Sequence, residues 1–225
     1  MHSHFDMPTR GVFELYLGYI RHLRDRKLFI APLQLTGRLE YYLVHEFIGH
    51  VFQASGGKLL GKANLGNRGE PKIDIAFVEG ASPESEKVTI LVEAKYLQNA
   101  HRTSSIDDAK DEIATTLKDL ARQLYKFTRA TQGTLPVRLR SVNKEVYGLV
   151  FASYTKPTGA QDGKEDFYKD IGRKSATYGF RYHDLPTPWL HPVYDDVEVN
   201  TLGTRFRVTL RAGLWRARKS DKDPL

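Results

Sequence analysis

Glu93 and Lys95 stand two residues apart in TILVEAKYL, residues 89–97. The other members include Ile90, Leu91, Val92, Ala94, Tyr96 and Leu97, which suit a buried strand. Side chains two apart on a strand share a face, so the carboxylate and the ammonium point one way while Val92, Ala94 and Tyr96 point the other. Charges are rarely buried without a partner, because desolvating them is costly. The preceding apolar run, KIDIAFVE (72–79), sets Asp74 between Ile73 and Ile75. If the two runs pair as a hairpin, Asp74 and Glu93 lie on adjacent strands. Two such carboxylates both stay ionised only with a cation between them. A hard divalent ion, Mg²⁺ or Mn²⁺ in its place, suits carboxylate, carbonyl and water ligands. The Ala94 carbonyl would add a ligand where the strand splays. Lys95 would then stand beside the ion's water, able to hold it in line, help remove its proton or stabilise charge on a phosphate. The plainer alternative is a surface ion pair on an edge strand.

The elements that must position these residues follow from periodicity. Val12, Leu15, Tyr16, Tyr19, Ile20 and Leu23 recur at helical spacing within residues 9–28. Thr36 offers an N-cap for a helix from Leu39 to Phe52, with Gly56-Gly57 as its stop. A short strand and a Gly/Asn-rich loop precede Lys72. The strands 72–79 and 88–97 form an antiparallel hairpin with a long polar turn. Ile106, Ile113, Leu117, Leu120, Leu124 and Phe127 mark a long helix over 106–131. EVYGLVFASY (145–154) is nearly all apolar, as in a sheet covered on both faces. A short helix to about Lys174 follows, then a Pro- and aromatic-rich segment, then an alternating strand over 204–215. This order predicts an α/β (α+β) chain with a central mixed sheet flanked by helices.

Asp74 followed by Glu93-Ala94-Lys95 resembles the motif of the PD-(D/E)XK nuclease superfamily. Ile73 stands where the motif's proline would be, and Pro71 lies three residues before Asp74. The order of elements from Thr36 to Tyr154 is similar to that family's αβββαβ restriction-endonuclease-like core. The resemblance implies one nuclease-like domain, with an N-terminal helical extension (1–35) and a C-terminal, strand-rich extension (155–225). It implies Mg²⁺-dependent hydrolysis of DNA phosphodiester bonds by a restriction, phage-defence or repair endonuclease. Asp74 and Glu93 would hold the metal, Ala94 would assist, and Lys95 would serve the nucleophile. The family's first helix usually adds a Glu. Glu40 lies at the centre of the helix's apolar face and is preferred; Glu46 lies at its edge and is the alternative. Duplex cleavage needs two sites, which implies a homodimer, and a defence or repair system implies a partner protein. A nuclease-fold module that has lost catalysis and only binds or scaffolds is the competing reading.

Nucleic acid is also the partner suggested by charge, with 34 Lys+Arg against 27 Asp+Glu and a net charge of +7. On the last strand Arg205, Arg207, Thr209 and Arg211 share one face and Phe206, Val208 and Leu210 the other. Same-face residues recur at about 6.8 Å, close to the phosphate spacing of a nucleic-acid strand. Lys62 and Arg68, in the Gly-rich stretch, and Gln123, on the long helix, are further candidates for nucleic-acid contact. Other chemistries are poorly served. With no cysteine there are no disulfides and no thiolate zinc sites, which fits a cytoplasmic setting. HEFIGH (45–50) sets His45 and His50 five apart, about 140° around a helix, too far for one metal. No G-x-S-x-G elbow or G-K-[ST] loop is present, and no apolar run could cross a bilayer.

Overall fold

In the computed structural model the described residues are 9–36, 39–65, 73–79, 87–99, 106–129, 145–178 and 190–217. Their strands form one mixed sheet of six, flanked by helices. Helices α1 (Thr9–Asp25), α2 (Lys27–Leu33) and α3 (Leu39–Ala54) precede strands β1 (Leu60–Leu65), β2 (Ile73–Glu79) and β3 (Lys87–Gln98). Then come α4 (Ile106–Arg129), β4 (Glu145–Pro157), α5 (Lys164–Thr177), β5 (His191–Thr201) and β6 (Thr204–Ala217). The strand order is β1-β2-β3-β4-β6-β5. Only β3 and β4 run parallel, and α4 is the crossover between them.

Two apolar layers sandwich the sheet. On one side α1, α2 and α3 cover Ile75, Phe77, Ile90, Val92, Ala94, Leu149, Phe151 and Leu210. On the other, α4 and α5 cover Ala76, Leu91, Leu97, Val146, Val150, Ala152 and Trp215. Burial on both faces explains the uninterrupted apolar run of β4, buried from Val146 to Lys156. The C-terminal third enters the same sheet, for β6 pairs with β4 along its whole length. A two-residue turn, Leu202-Gly203, with φ of 50° and 76°, joins β5 to β6. β5 is an edge strand, blunted by Pro192 and by two irregularities in its register.

One expectation needs correction. The first helical stretch is broken: α1 ends at Asp25 and α2 restarts at Lys27, so that Ile30 and Ala31 turn into the core. Pro32 lies inside α2, one residue before its end. Thr36 belongs to a 3-10 turn, Gln34–Thr36, and its hydroxyl donates back to the Leu33 carbonyl at 2.8 Å.

Candidate active site at a strand fork

The β2–β3 ladder runs from Glu79–Lys87 to Ile75–Val92. Asp74 and Glu93 are the next residues on each strand, and there the ladder ends. β2 stays with β1 as far as Ile73, while β3 stays with β4 as far as Gln98. The strands therefore fork at Asp74 and Glu93. The Asp74 side chain spans the gap, its Oδ2 accepting the Ala94 N–H at 2.8 Å. A residue's N–H and C=O point to the same edge of an extended strand. The Ala94 carbonyl is thus directed toward the edge that β2 has left.

Register also fixes the environment of Glu93. It pairs with Gly148 on β4, which pairs with Trp215 on β6. All three share the face covered by α4. A Cβ on Gly148 would lie 2.5 Å from the Trp215 ring and 2.9 Å from Leu124 of α4. The indole thus lies over Gly148, the residue that pairs with Glu93. Glu93 is 2% exposed. Its Oε1 accepts from Lys95 Nζ at 2.8 Å, and its Oε2 has no hydrogen-bond partner.

The electrostatics follow from that burial. Desolvation first, and then the charge of Asp74, push the Glu93 carboxyl up to about 7, with Lys95 acting in the opposite direction. Glu40 stands at the centre of the helix's apolar pattern yet is exposed; partial desolvation and then Asp74 raise it, with Lys95 opposing. Burial would lower Lys95, but Glu93, Asp74 and Glu40 outweigh it and hold the ammonium above its ordinary value. Asp74 and Lys95 thus lie within electrostatic reach of both Glu93 and Glu40. Glu40 comes to the fork from the first turn of α3.

Glu46 is engaged elsewhere. Its Oε2 accepts from Arg26 Nη1 at 2.6 Å and lies 2.8 Å from His22 Nε2, between α1 and α3. Burial would raise this carboxyl, but the hydrogen-bonded His22 and Arg26 bring it below its ordinary value. His45 and His50 diverge as their spacing requires. His45 Nδ1 lies 2.8 Å from the Tyr41 carbonyl oxygen, whereas the His50 ring lies 5.7 Å from that of His22.

Among the described residues no three His, Cys, Asp or Glu side chains are grouped as a ready-made metal cage. The donors at the fork still fit a small hard cation. Glu93 offers a buried oxygen without a partner, and Asp74 has a second oxygen beside the one that bonds Ala94. Mg²⁺ is commonly held by one or two carboxylates with waters completing its shell.

The candidate nucleic-acid residues are dispersed. Lys62 is on β1 and partly buried. Arg68 lies outside the described residues. Gln123 turns a buried Oε1 without a partner toward the interior of α4's face, four residues before buried Phe127. The arginine stripe is shorter than its alternation implies, because α5 packs on that face. Thr209 is buried, and the Arg211 guanidinium stacks over the Tyr168 ring at 4.1 Å with Glu165 and Asp195 each 3.9 Å away. Arg205 and Arg207 remain exposed, Arg207 with Glu198 at 3.9 Å.

Three supporting residues escaped the sequence reading. Gly148 and Trp215 matter only through register. Asn99 closes the end of β3: its Nδ2 donates to the Thr155 carbonyl at 2.8 Å and its Oδ1 accepts the Thr155 N–H at 2.7 Å. A polar amide just past an apolar strand was the one available signal. No protein-family model, curated protein or solved structure matches the chain.

Proposed function

We propose that the chain is a Mg²⁺-dependent nuclease of the PD-(D/E)XK type that hydrolyses DNA phosphodiester bonds. One observation carries the reading: a buried, half-satisfied carboxylate, Glu93, stands at a strand fork opposite Asp74, with Lys95 bonded to it. A carboxylate in that position is costly unless a cation compensates it. Asp74 and Glu93 would hold the ion, with the Ala94 carbonyl and Glu40 near by. A bound divalent cation supplies charge neutralisation at the phosphate and makes its water more acidic.

The chain's own residues supply the rest. Lys95 stays protonated in its carboxylate surroundings, so it orients the attacking water and neutralises charge on the phosphate rather than removing a proton. The water oxygen bonds to phosphorus as one P–O ester bond breaks; the attacking water gives up a proton to solvent and the departing oxygen takes one from solvent. Trp215 and Leu124 cover Gly148, the β4 residue that pairs with Glu93. Asn99 ties β3 to β4 four residues beyond Lys95 and limits movement of the motif. Within this proposal the helix–hairpin–helix–strand order of α3 to β4 is the αβββαβ core.

The test is cleavage of supercoiled plasmid with Mg²⁺, with Mn²⁺ and with EDTA, for the wild type and Lys95→Ala. Metal-dependent nicking that the variant loses supports the proposal. A folded wild type that never cuts would favour the second reading, a nuclease-fold module that binds DNA without cutting it. One observation favours that reading: Asp74 Oδ2 and Glu93 Oε1 already have donors within the protein.

A further inference from the structure

The β5–β6 hairpin ends in a residue that its own turn disfavours. Leu202 and Gly203 form a two-residue turn closed by the pair Thr201–Thr204, and both have positive φ, 50° and 76°. Such a turn suits Asn, Asp or Gly, because a bulkier side chain is crowded in the left-handed region. Gly203 conforms and Leu202 does not. A leucine there costs free energy twice, in backbone strain and in the exposure of its side chain. That side chain is 100% exposed, so packing against the described residues offsets neither cost. A single exposed leucine is ordinary on a protein surface. One held in the left-handed region at the point of a projecting ribbon is not.

The ribbon stands clear of the sheet. β4 follows β6 only to the pair Pro157–Phe206, with one further bond from the Thr158 N–H to the Arg205 carbonyl at 2.8 Å. Beyond Arg205 each arm runs on for two residues, at about 3.4 Å each, so the tip projects about 7 Å. The minor groove of B-DNA is about 7.5 Å deep. Just behind the tip Asn200 and Arg205 pair across the ladder, on the face that Arg207 shares. All three are exposed. No Asp or Glu occurs from Val199 to Val208, and Glu198, just before that span, lies 3.9 Å from Arg207. β6 runs antiparallel to β4, and β4 parallel to β3. The tip is therefore at the end of the sheet toward which the fork of β2 and β3 opens.

We propose that the tip of this hairpin enters the minor groove of duplex DNA and that Leu202 wedges between two base pairs there. Proteins that enter this groove insert apolar side chains at a base step, and the resulting kink toward the major groove opens it. Charge selects the same occupant. Two arginines in a span without carboxylates suit a polyanion, and they meet phosphates on either side of the tip. Asn200 is placed to reach the acceptors on the groove floor. The free energy that Leu202 costs the unbound protein is offset when its side chain leaves water between the bases. The proposal rests on the reading of DNA as partner, though not on catalysis. It narrows the substrate class to duplexes that kink readily: flexible pyrimidine–purine steps are favoured over stiff A-tracts.

The test uses the full chain and a duplex with a donor and an acceptor dye at its ends, in EDTA so that no strand is cut. Anisotropy reads binding and energy transfer reads bending. The wild type is expected to bind the duplex and to bring its ends closer. Leu202→Asn suits the turn and should keep or raise Tm. It should weaken binding about tenfold and abolish the bend, at an unchanged slope of log K against log salt. Arg205→Ala should instead reduce that slope by about 1. A bend that Leu202→Asn retains, or a wild type that binds without bending, would overturn the inference and leave DNA as the partner. A wild type that does not bind the duplex even at low salt would overturn both readings. Should that wild type instead sediment with vesicles of anionic lipid, and Leu202→Asn fail to, the tip would be assigned to a membrane surface.

Discussion

At the scale of the residue, Glu93 governs the behaviour of the fork. Its carboxyl is raised to about 7, so the folded state favours the protonated form. The stability gained this way is complete below the ordinary carboxylate range and is lost as pH rises through about 7. A divalent ion needs the carboxylate and must displace that proton. Added Mg²⁺ or Mn²⁺ should therefore raise Tm little near about pH 5.5 and distinctly more near about pH 8. Equal shifts at both pH values would exclude Glu93 as a ligand, and Asp74→Asn should reduce the shift. Lys95→Ala should lower cleavage by about 10²–10⁴-fold while leaving the fold intact, as removal of a group that acts at the phosphate requires. Activity retained within a few-fold in the variant would remove Lys95 from the mechanism.

At the scale of the element, the site depends on how β3 is held against β4, β6 and α4. Gly148 is the point of closest approach, with Trp215 and Leu124 already where a methyl would go. Gly148→Ala should destabilise the fold by about 1–3 kcal/mol, read as a lower urea midpoint at unchanged slope. A neutral result would mean that Trp215 does not lie over β4. Asn99→Ala removes two hydrogen bonds that close the fork's far end. It should cost about 1–3 kcal/mol and reduce cleavage more than metal affinity, because the ligands themselves are untouched. Local pattern showed most of these elements. α4 and β4 were legible from their periodicity and continuous burial. α2, a helix of seven residues containing a proline, was not legible, since its existence depends on packing Ile30 and Ala31.

At the scale of the whole molecule, net charge favours a polyanion, but tertiary packing decides which cations remain open to it. Arg211 is stacked on Tyr168 with two carboxylates near by, whereas Arg205 and Arg207 lie in solvent. DNA affinity should fall with rising salt. Arg205→Ala and Arg207→Ala should each weaken binding and reduce the slope of log K against log salt by about 1. An unchanged slope in both variants would place the DNA path on another surface.

Composition and spacing alone determined the alternating and helical runs, the isolated charges in an apolar strand and the two candidate glutamates on α3. These are local properties, set by the two-residue and 3.6-residue periods of the backbone. Tertiary structure decided the rest, because it depends on register and on which layer covers which face. It brought Glu40 within electrostatic reach of Asp74 and Lys95, and it bound Glu46 to Arg26. It set Gly148 and then Trp215 in register with Glu93 across the sheet, from positions 55 and 122 residues further along the chain. It buried Thr209 in the arginine stripe. No local period carries such information, since pairing between distant strands is settled only when the whole sheet closes on its two cores.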